Sequence, residues 1–307
     1  GIRDSSVTGV QTCALPISTS AIAILAQLHR SGVRVANPDT WYGAQALTSE
    51  EPLFTAEEKV RISPSSLDTL HKCPLKWAFE YAGGRNSDST AQIIGTSFHA
   101  IAAKLKDGAS LTELQGEMNS LWGQLASRME IGTGWSARAE LERALSMLEK
   151  LVSYQEKTGR TLVGVEERFS INIGNIVISG SVDRLEITSE GLLFVVDLKT
   201  SKYPISTKDG EEHPQLKLYQ LAVSEGKFNH LAPETIPAGA ELFYPSSGNN
   251  GARRKQPPIE ANDVRGMIVN DGNTVSSPVF RAVENDLCDN CALKSSCPVR
   301  PEGRTLR

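Results

Sequence analysis

The sequence holds nothing long enough to span a membrane. Across 307 residues no run approaches 18 consecutive apolar residues, the minimum for a spanning helix. A secretory signal pattern is also missing. The expected compartment is therefore cytoplasmic, where thiols stay reduced and cysteines are more often metal ligands than disulfides. Cysteines are few: Cys13, Cys73, Cys288, Cys291 and Cys297. No G-x-x-x-x-G-K-[ST] loop occurs, so ATP hydrolysis is not expected of this chain. No repeat of 20–50 residues is visible. Positive charge is not in excess either: 32 Lys and Arg face 36 Asp and Glu, for a net charge of −4 and a pI near 5.8. That balance excludes a nucleic-acid coat over the whole surface but leaves room for a local basic groove. The apolar fraction, 39%, is a little low yet enough for a packed core. The length suits one large domain or two small ones.

The chain changes character along its length. "GIRDSSVTGVQTCALPI" has neither helical nor strand periodicity. Residues 1–18 read as a non-native extension of the sequencing-adapter kind, or else as a disordered tail, and Cys13 is a poor ligand candidate in either case. "STSAIAILAQLHRSG" reads as a short helix stopped by Gly32. Residues 37–54 read as an irregular connector, with Trp41 and Tyr42 either pinning it to a surface or simply buried. Ser63 and Pro64 form a helix start, Pro74 limits that helix near Cys73, and Gly83-Gly84 ends the segment. Helices are expected over 92–107, 111–130 and 136–158. The second places Leu111, Leu114, Met118, Leu121 and Leu125 on one stripe, and the third does the same with Leu141, Leu145, Leu148 and Val152.

Near Thr161 the period turns strand-like. "LVGVEERFSINI", "IVISGSVDRLEI" and "GLLFVVDLKT" read as three strands, with turns at Gly174-Asn175 and Ser189-Glu190-Gly191. A helix over 213–226 and a strand "AELFYP" follow. Residues 245–258 read as a loop, and 263–269 as a strand or a helix.

The chemistry concentrates in "SGSVDRLEITSEGLLFVVDLKTSK". Asp197 and Lys199 share a strand face by their spacing of two, and a hairpin would bring Asp183 to the same end. Asp197 directly follows the apolar run "LLFVV", where a carboxylate is costly unless something pairs it. Two carboxylates there could hold Mg²⁺ or Mn²⁺, and a nearby ammonium could stabilise charge developing on a phosphate. The plainer alternative is a partly exposed Asp–Lys ion pair. His99, on the expected helix after Gly95, could be a ligand or an ordinary helix histidine. Gln215 and Tyr219 share a helix face at i and i+4, as a supporting pair or as part of an ordinary amphipathic helix. Lys72 and Lys76, and the loop cluster Arg253, Arg254 and Lys255, are candidate DNA contacts or simply solvated charges.

In order, Gly95-x-x-x-His99, Gly180-x-x-Asp183-Arg184, Asp197-x-Lys199 and Gln215-x-x-x-Tyr219 resemble the motifs of RecB-like nucleases in the PD-(D/E)XK superfamily, over roughly residues 61–300. The resemblance implies an α/β (α+β) fold: a mixed central sheet flanked by helices, a restriction-endonuclease-like core, a helical N-terminal insertion and a cysteine-bearing C-terminal tail. It implies that His99, Asp183 and Asp197 bind Mg²⁺ or Mn²⁺, that Asp183, Asp197 and Lys199 are catalytic, and that Gln215 and Tyr219 support the site. The family's Pro-Asp pair is not literal here, since Ser181 and Val182 precede Asp183.

One branch of that family carries a 4Fe–4S cluster, with one cysteine ahead of the nuclease motifs and C-x2-C-x5-C behind them. Cys73 and then Cys288, Cys291 and Cys297 match that layout. The resemblance implies a structural staple on these four. A four-cysteine zinc site or unrelated free cysteines are the alternatives. The segments around Cys73 also resemble the junction ahead of the nuclease module in actinobacterial AdnA/AdnB-type helicase–nucleases. Residues 19–60 would then be a linker and motor remnant, 61–300 the nuclease and 301–307 a tail. The motor would be missing from this chain, and a heterodimer partner is implied. The expected function is metal-dependent hydrolysis of single-stranded DNA in double-strand break processing. The alternatives are a non-catalytic DNA-binding or end-recognition module on the same fold, and a stand-alone CRISPR-associated exonuclease.

Overall fold

The computed structural model describes residues 17–31, 52, 54–55, 57–84, 90–129 and 134–304. Cys13, Trp41 and Tyr42 lie outside them. The chain divides into two compact units.

The larger unit, Lys59–Asp68 with Ser87–Asn270, is built on a mixed sheet. Its central strand, β4 (Ile176–Ile187), carries the antiparallel β3 (Thr161–Ile173) along one edge. The other edge is shared. The short β2 (Val60–Ile62) pairs in parallel with residues 176–178, and β5 (Leu193–Leu198) pairs antiparallel with residues 184–187. Each backbone edge can serve one partner per residue, so the two occupy separate stretches. β6 (Pro237–Tyr244) joins β5 in parallel, and β7 (Ala252–Gln256) closes the sheet against β6. A parallel pair needs a crossover, which here contains the helices Thr207–Glu211 and Pro214–Ser224.

The helices Thr90–Ala102, Leu111–Arg128 and Trp135–Thr158 pack a core of Phe98, Ile101, Met118, Met147 and Leu148 together with Val196, Leu198 and Phe243 of the sheet. The Leu111–Arg128 helix begins with a reciprocal capping box between Ser110 and Glu113, which satisfies two orphan backbone donors. In the Trp135–Thr158 helix the buried stripe is Ala144, Met147, Leu148, Leu151 and Tyr154, while Leu141, Leu145 and Val152 are half-buried. The stripe expected from leucine spacing is therefore rotated, because alanine and methionine fill its tightest positions. Residues 103–107 form a 3-10 turn rather than more α-helix.

One expectation changes: residues 252–256 form a strand, not a loop. Residues 261–275 form a helix, one of the two readings left open for 263–269. "ARRKQ" hides its strand character because its arginines are salt-bridged or hydrogen-bonded rather than apolar. Glu241, fully buried in β6, accepts bonds from Arg253 Nε at 2.7 Å and Nη2 at 3.0 Å, from Arg160 Nη2 at 2.8 Å and from the Tyr154 hydroxyl at 2.6 Å. Arg160 also reaches the buried Glu186, at 2.7 Å.

The smaller unit takes in Thr69–Asn86, Asp271–Arg307 and the chain up to Glu58. Its helices Thr19–Arg30 and Pro74–Tyr81 pack together, and Trp77 stacks obliquely near Phe280. Ile17–Ser18 pair antiparallel with Val279–Phe280. Pro74 occupies the first turn of its own helix, where a missing N–H costs nothing. Among the described residues no helix is long and apolar enough to cross a membrane.

Removing Glu241 takes a partner from the buried Tyr154 hydroxyl and from Arg160, and leaves Arg253 to solvent. Glu241→Ala is expected to lower unfolding stability by about 3–5 kcal/mol, the usual cost of breaking a buried ion pair on one side. Chemical denaturation followed by circular dichroism measures it.

Candidate active site and cysteine pocket

Strand register builds the first site. β3 and β4 meet through a two-residue turn, so Ile173 faces Ile176 and, further up, Val165 faces Arg184 while Glu167 faces Val182. Glu166 is thus level with Asp183. Across the next interface Arg184 faces Val196, so Asp183 is level with Asp197 at the strand end. Three carboxylates therefore lie along one rung of the sheet. Like charges on adjacent strands repel, so the arrangement needs compensating cations. The Glu166 backbone has φ of +50°, a left-handed conformation that costs a non-glycine residue energy.

His99 approaches this row from the Thr90–Ala102 helix. Its Nδ1 lies 3.5 Å from Asp183 Oδ2 and 3.8 Å from Glu166 Oε1. Gly95 eases the approach: a Cβ there, one turn before His99, would sit 3.2 Å from Thr200 Oγ1. On β4, a Cβ on Gly180 would meet Pro64 Cδ at 2.8 Å. Among the described residues, His99, Glu166 and Asp183 are the one set of three metal-type ligand atoms within 4.8 Å of one another.

The other end of the row is held by a polar clamp. Buried Gln215 donates Nε2 to Asp197 Oδ1 at 2.8 Å and lies 2.7 Å from the Tyr219 hydroxyl, while its Oε1 accepts from Lys199 Nζ at 2.8 Å. Lys199 Nζ is also 2.8 Å from Asp197 Oδ2, although that buried oxygen accepts no well-angled hydrogen bond. Asp183 Oδ2 accepts the Leu198 N–H at 2.7 Å.

Charge follows position. Burial, then the neighbouring Asp197 carboxylate, raises the Asp183 pKa. Burial opposes charge on His99 and on Lys199, but the surrounding carboxylates, through hydrogen bonds and Coulomb attraction, raise both. These groups line a cleft of about 860 Å³ together with Arg143, whose guanidinium also binds the Thr200 carbonyl and Ser246.

The structure therefore gathers His99, Asp183, Asp197, Lys199 and Gln215 around one cleft, with Tyr219 behind Gln215. The sequence reading missed Glu166 and Arg143. Counting back from the Gly174-Asn175 turn would have placed Glu166 opposite Asp183. Arg143, in the unremarkable run "LERAL", offers no such signal. The basic candidates disperse: Arg253 faces Glu241, Arg254 binds the Ile205 carbonyl, and Lys255 is exposed on β7. Lys76 lies 3.8 Å from Glu80 and lines the cysteine cavity. Lys72 offers its carbonyl to Asn285.

That cavity belongs to the smaller unit. Cys73, Cys288, Cys291 and Cys297 all line it, with Leu75, Leu293, Lys76, Lys294 and Arg300 around them. None is in a disulfide. Burial pushes the Cys291 thiol up and the Cys297 thiol up to about 11, so a bound metal's charge is what would deprotonate them. Asn285 ties the two ends of the pocket together. Its Nδ2 donates to the Lys72 carbonyl at 3.1 Å and its backbone N–H to Cys288 Sγ at 3.3 Å. The sulfurs are spread: no three lie within 4.8 Å of one another.

Comparison with known proteins points the same way. A family model described as the PD-(D/E)XK nuclease superfamily matches residues 61–298. One of the subunits of the ATP-dependent helicase/deoxyribonuclease of Streptococcus agalactiae is 27% identical over 186 residues, 57% of this chain and 17% of its own. Its namesake from Streptococcus pyogenes serotype M6 is 22% identical over 224 residues, 68% of this chain and 20% of its own. The chain thus spans about a fifth of the length of the curated relatives it matches. A solved structure of a candidate exonuclease from Eubacterium rectale superposes with a TM-score of 0.47 at 12% identity, covering 75% of this chain and 87% of that one, a likeness too loose to bear on function.

Asp183→Asn keeps the acceptor for Leu198 while deleting the middle charge of the row. In EDTA this variant is expected to melt above the wild type, by a stabilisation of roughly 1 kcal/mol. Differential scanning calorimetry reads it, and a lower midpoint contradicts the repulsion.

Proposed function

The chain belongs to the PD-(D/E)XK nuclease superfamily, and from that premise we propose that it is a metal-dependent deoxyribonuclease module spanning residues 61–300. The observation that carries this reading is the carboxylate row, with His99 at one end and Lys199 clamped at the other.

The donor set fits a hard divalent cation such as Mg²⁺ or Mn²⁺, since it offers carboxylate oxygens and an imidazole. Buried Asp197 Oδ2, which accepts no well-angled hydrogen bond although the Lys199 ammonium lies 2.8 Å away, is suited to a cation as well. His99, Asp183 and Asp197 would hold the ion, which when bound acidifies a water and neutralises phosphate charge. The remaining chemistry falls to the chain's own groups. Lys199, held by Asp197 and Gln215, presents a fixed ammonium to the attacking water and to charge growing on the phosphate. Gln215 orients Lys199 and Asp197 together, and Tyr219 holds Gln215 in turn. Arg143, on the cleft wall, is placed to meet a neighbouring phosphate.

The substrate reading is single-stranded DNA unwound by a motor during double-strand break processing. Similarity to relatives named as components of a helicase/deoxyribonuclease supports a place in a longer helicase–nuclease of the AdnA/AdnB kind. Residues 19–60 would lead from its motor, and a second polypeptide would complete it.

The cysteine pocket is proposed to hold a 4Fe–4S cluster on Cys73, Cys288, Cys291 and Cys297. Four thiols in one enclosed cavity suit iron or zinc. The layout of one leading cysteine and a trailing C-x2-C-x5-C, as in the cluster-bearing branch that the sequence resembles, favours the cluster over a tetrahedral zinc. A link between Cys73 and the distant C-terminal cysteines restricts the unfolded chain.

Two outcomes are expected. On end-labelled single-stranded DNA, Mg²⁺ or Mn²⁺ supports cleavage that EDTA stops, and Asp197→Ala or Lys199→Ala lowers the rate by about 100-fold or more while circular dichroism stays unchanged. Retained cleavage in both variants would overturn the assignment. Protein purified without oxygen carries about four irons per chain with visible charge-transfer absorbance, and Cys291→Ser loses both. Stoichiometric zinc without iron would contradict the cluster.

A further inference from the structure

We infer that Glu166 is a further metal ligand of the active site, joining His99, Asp183 and Asp197 from the side of the row away from Lys199. The inference rests on the metal-dependent reading above and extends it to a residue that the motif pattern omits.

Four observations carry it. Register puts Glu166 level with Asp183, and its Oε1 lies 3.8 Å from the same His99 nitrogen that lies 3.5 Å from Asp183. Ser181 donates to the other carboxylate oxygen, Oε2, at 3.0 Å, which fixes the group with Oε1 turned toward the imidazole. Glu166 lines the same cleft as Asp183 and Asp197 and is half-exposed there, so its charge is open to a solvated ion. Among the described residues no lysine or arginine pairs with it, whereas the next residue, Glu167, lies 3.4 Å from Lys106.

Asp197 makes the division of labour clear. It is almost fully buried and already engaged with Gln215 and Lys199. Asp197 also lines the same cleft. Three ligand atoms within 4.8 Å of one another, supplied by three different elements of the fold, form the tightest donor set in the cleft. Oxygen ligands with one imidazole suit Mn²⁺ and Mg²⁺. Glu166 could instead do no more than orient His99, as outer-shell carboxylates do. The two roles differ in chemistry: orientation needs a hydrogen-bond acceptor, whereas ligation at this affinity needs the charge.

Isothermal titration of the full chain with MnCl₂, without DNA, separates them. Glu166→Gln keeps one acceptor oxygen for His99 and turns its amide NH2 to the Ser181 hydroxyl, which can accept, but it loses the charge. Its Mn²⁺ affinity is expected to fall by about tenfold or more, with a melting midpoint in EDTA no lower than that of the wild type. Unchanged Mn²⁺ affinity in Glu166→Gln would overturn the inference. Asp183→Asn is the control for the parent reading: if it too binds Mn²⁺ like the wild type, the metal site itself is wrong. If Asp183→Asn loses binding while Glu166→Gln keeps it, only the assignment of Glu166 fails. Should Glu166→Gln unfold, Ser181→Ala, which frees Glu166 without removing its charge, is expected to weaken Mn²⁺ by a smaller factor. An unaltered isotherm for that variant counts against the inference.

Discussion

Electrostatic repulsion along one rung of the sheet is the constraint on which the rest depends. Glu166, Asp183 and Asp197 stand level on three adjacent strands, and two of them are largely withdrawn from water. Left alone, such a row favours a different register or protonated carboxyls. It persists because cationic and donor groups converge on it: His99 from a helix, Lys199 from the strand end, Gln215 from the crossover helix and the Leu198 N–H from the backbone itself. On the proposed reading, a bound cation would relieve the same repulsion.

The remainder of the larger unit fixes that convergence. Helix Thr90–Ala102 comes close enough only because Gly95 presents no Cβ to Thr200. β4 can serve β2, β3 and β5 at once because the stretches of its edges do not overlap. The buried ion-pair network links Glu186, on the same strand as Asp183, through Arg160 to Glu241 on β6. Buried ion pairs add little net stability, but breaking one is costly. They act as a lock on strand alignment, and alignment sets the distances within the carboxylate row.

Much of this was legible in the sequence. The D-x-K spacing, the hairpin and the helix carrying His99 follow from period and turn chemistry, and the match to residues 61–298 agrees with the motif order. Glu166 was within reach, because a two-residue turn fixes the pairing from Ile173 down to Gly164, but it is hidden by being one of two adjacent glutamates with no motif of its own. β7 was missed for a physical reason: "ARRKQ" lacks apolar alternation because its inward group, Arg253, meets a buried carboxylate instead of a hydrophobic core. The stripe of the Trp135–Thr158 helix rotated because close packing selected alanine and methionine over the leucines that dominate the pattern. Arg143 stayed invisible, since nothing local marks a helix arginine that reaches a strand end.

The most direct test is a crystal of the full chain soaked in MnCl₂ and examined by anomalous diffraction. The account predicts a manganese peak in the cleft, in contact with carboxylate oxygens of the row and with the His99 ring. A saturating soak that leaves those carboxylates unligated, with manganese only elsewhere on the surface, would contradict it.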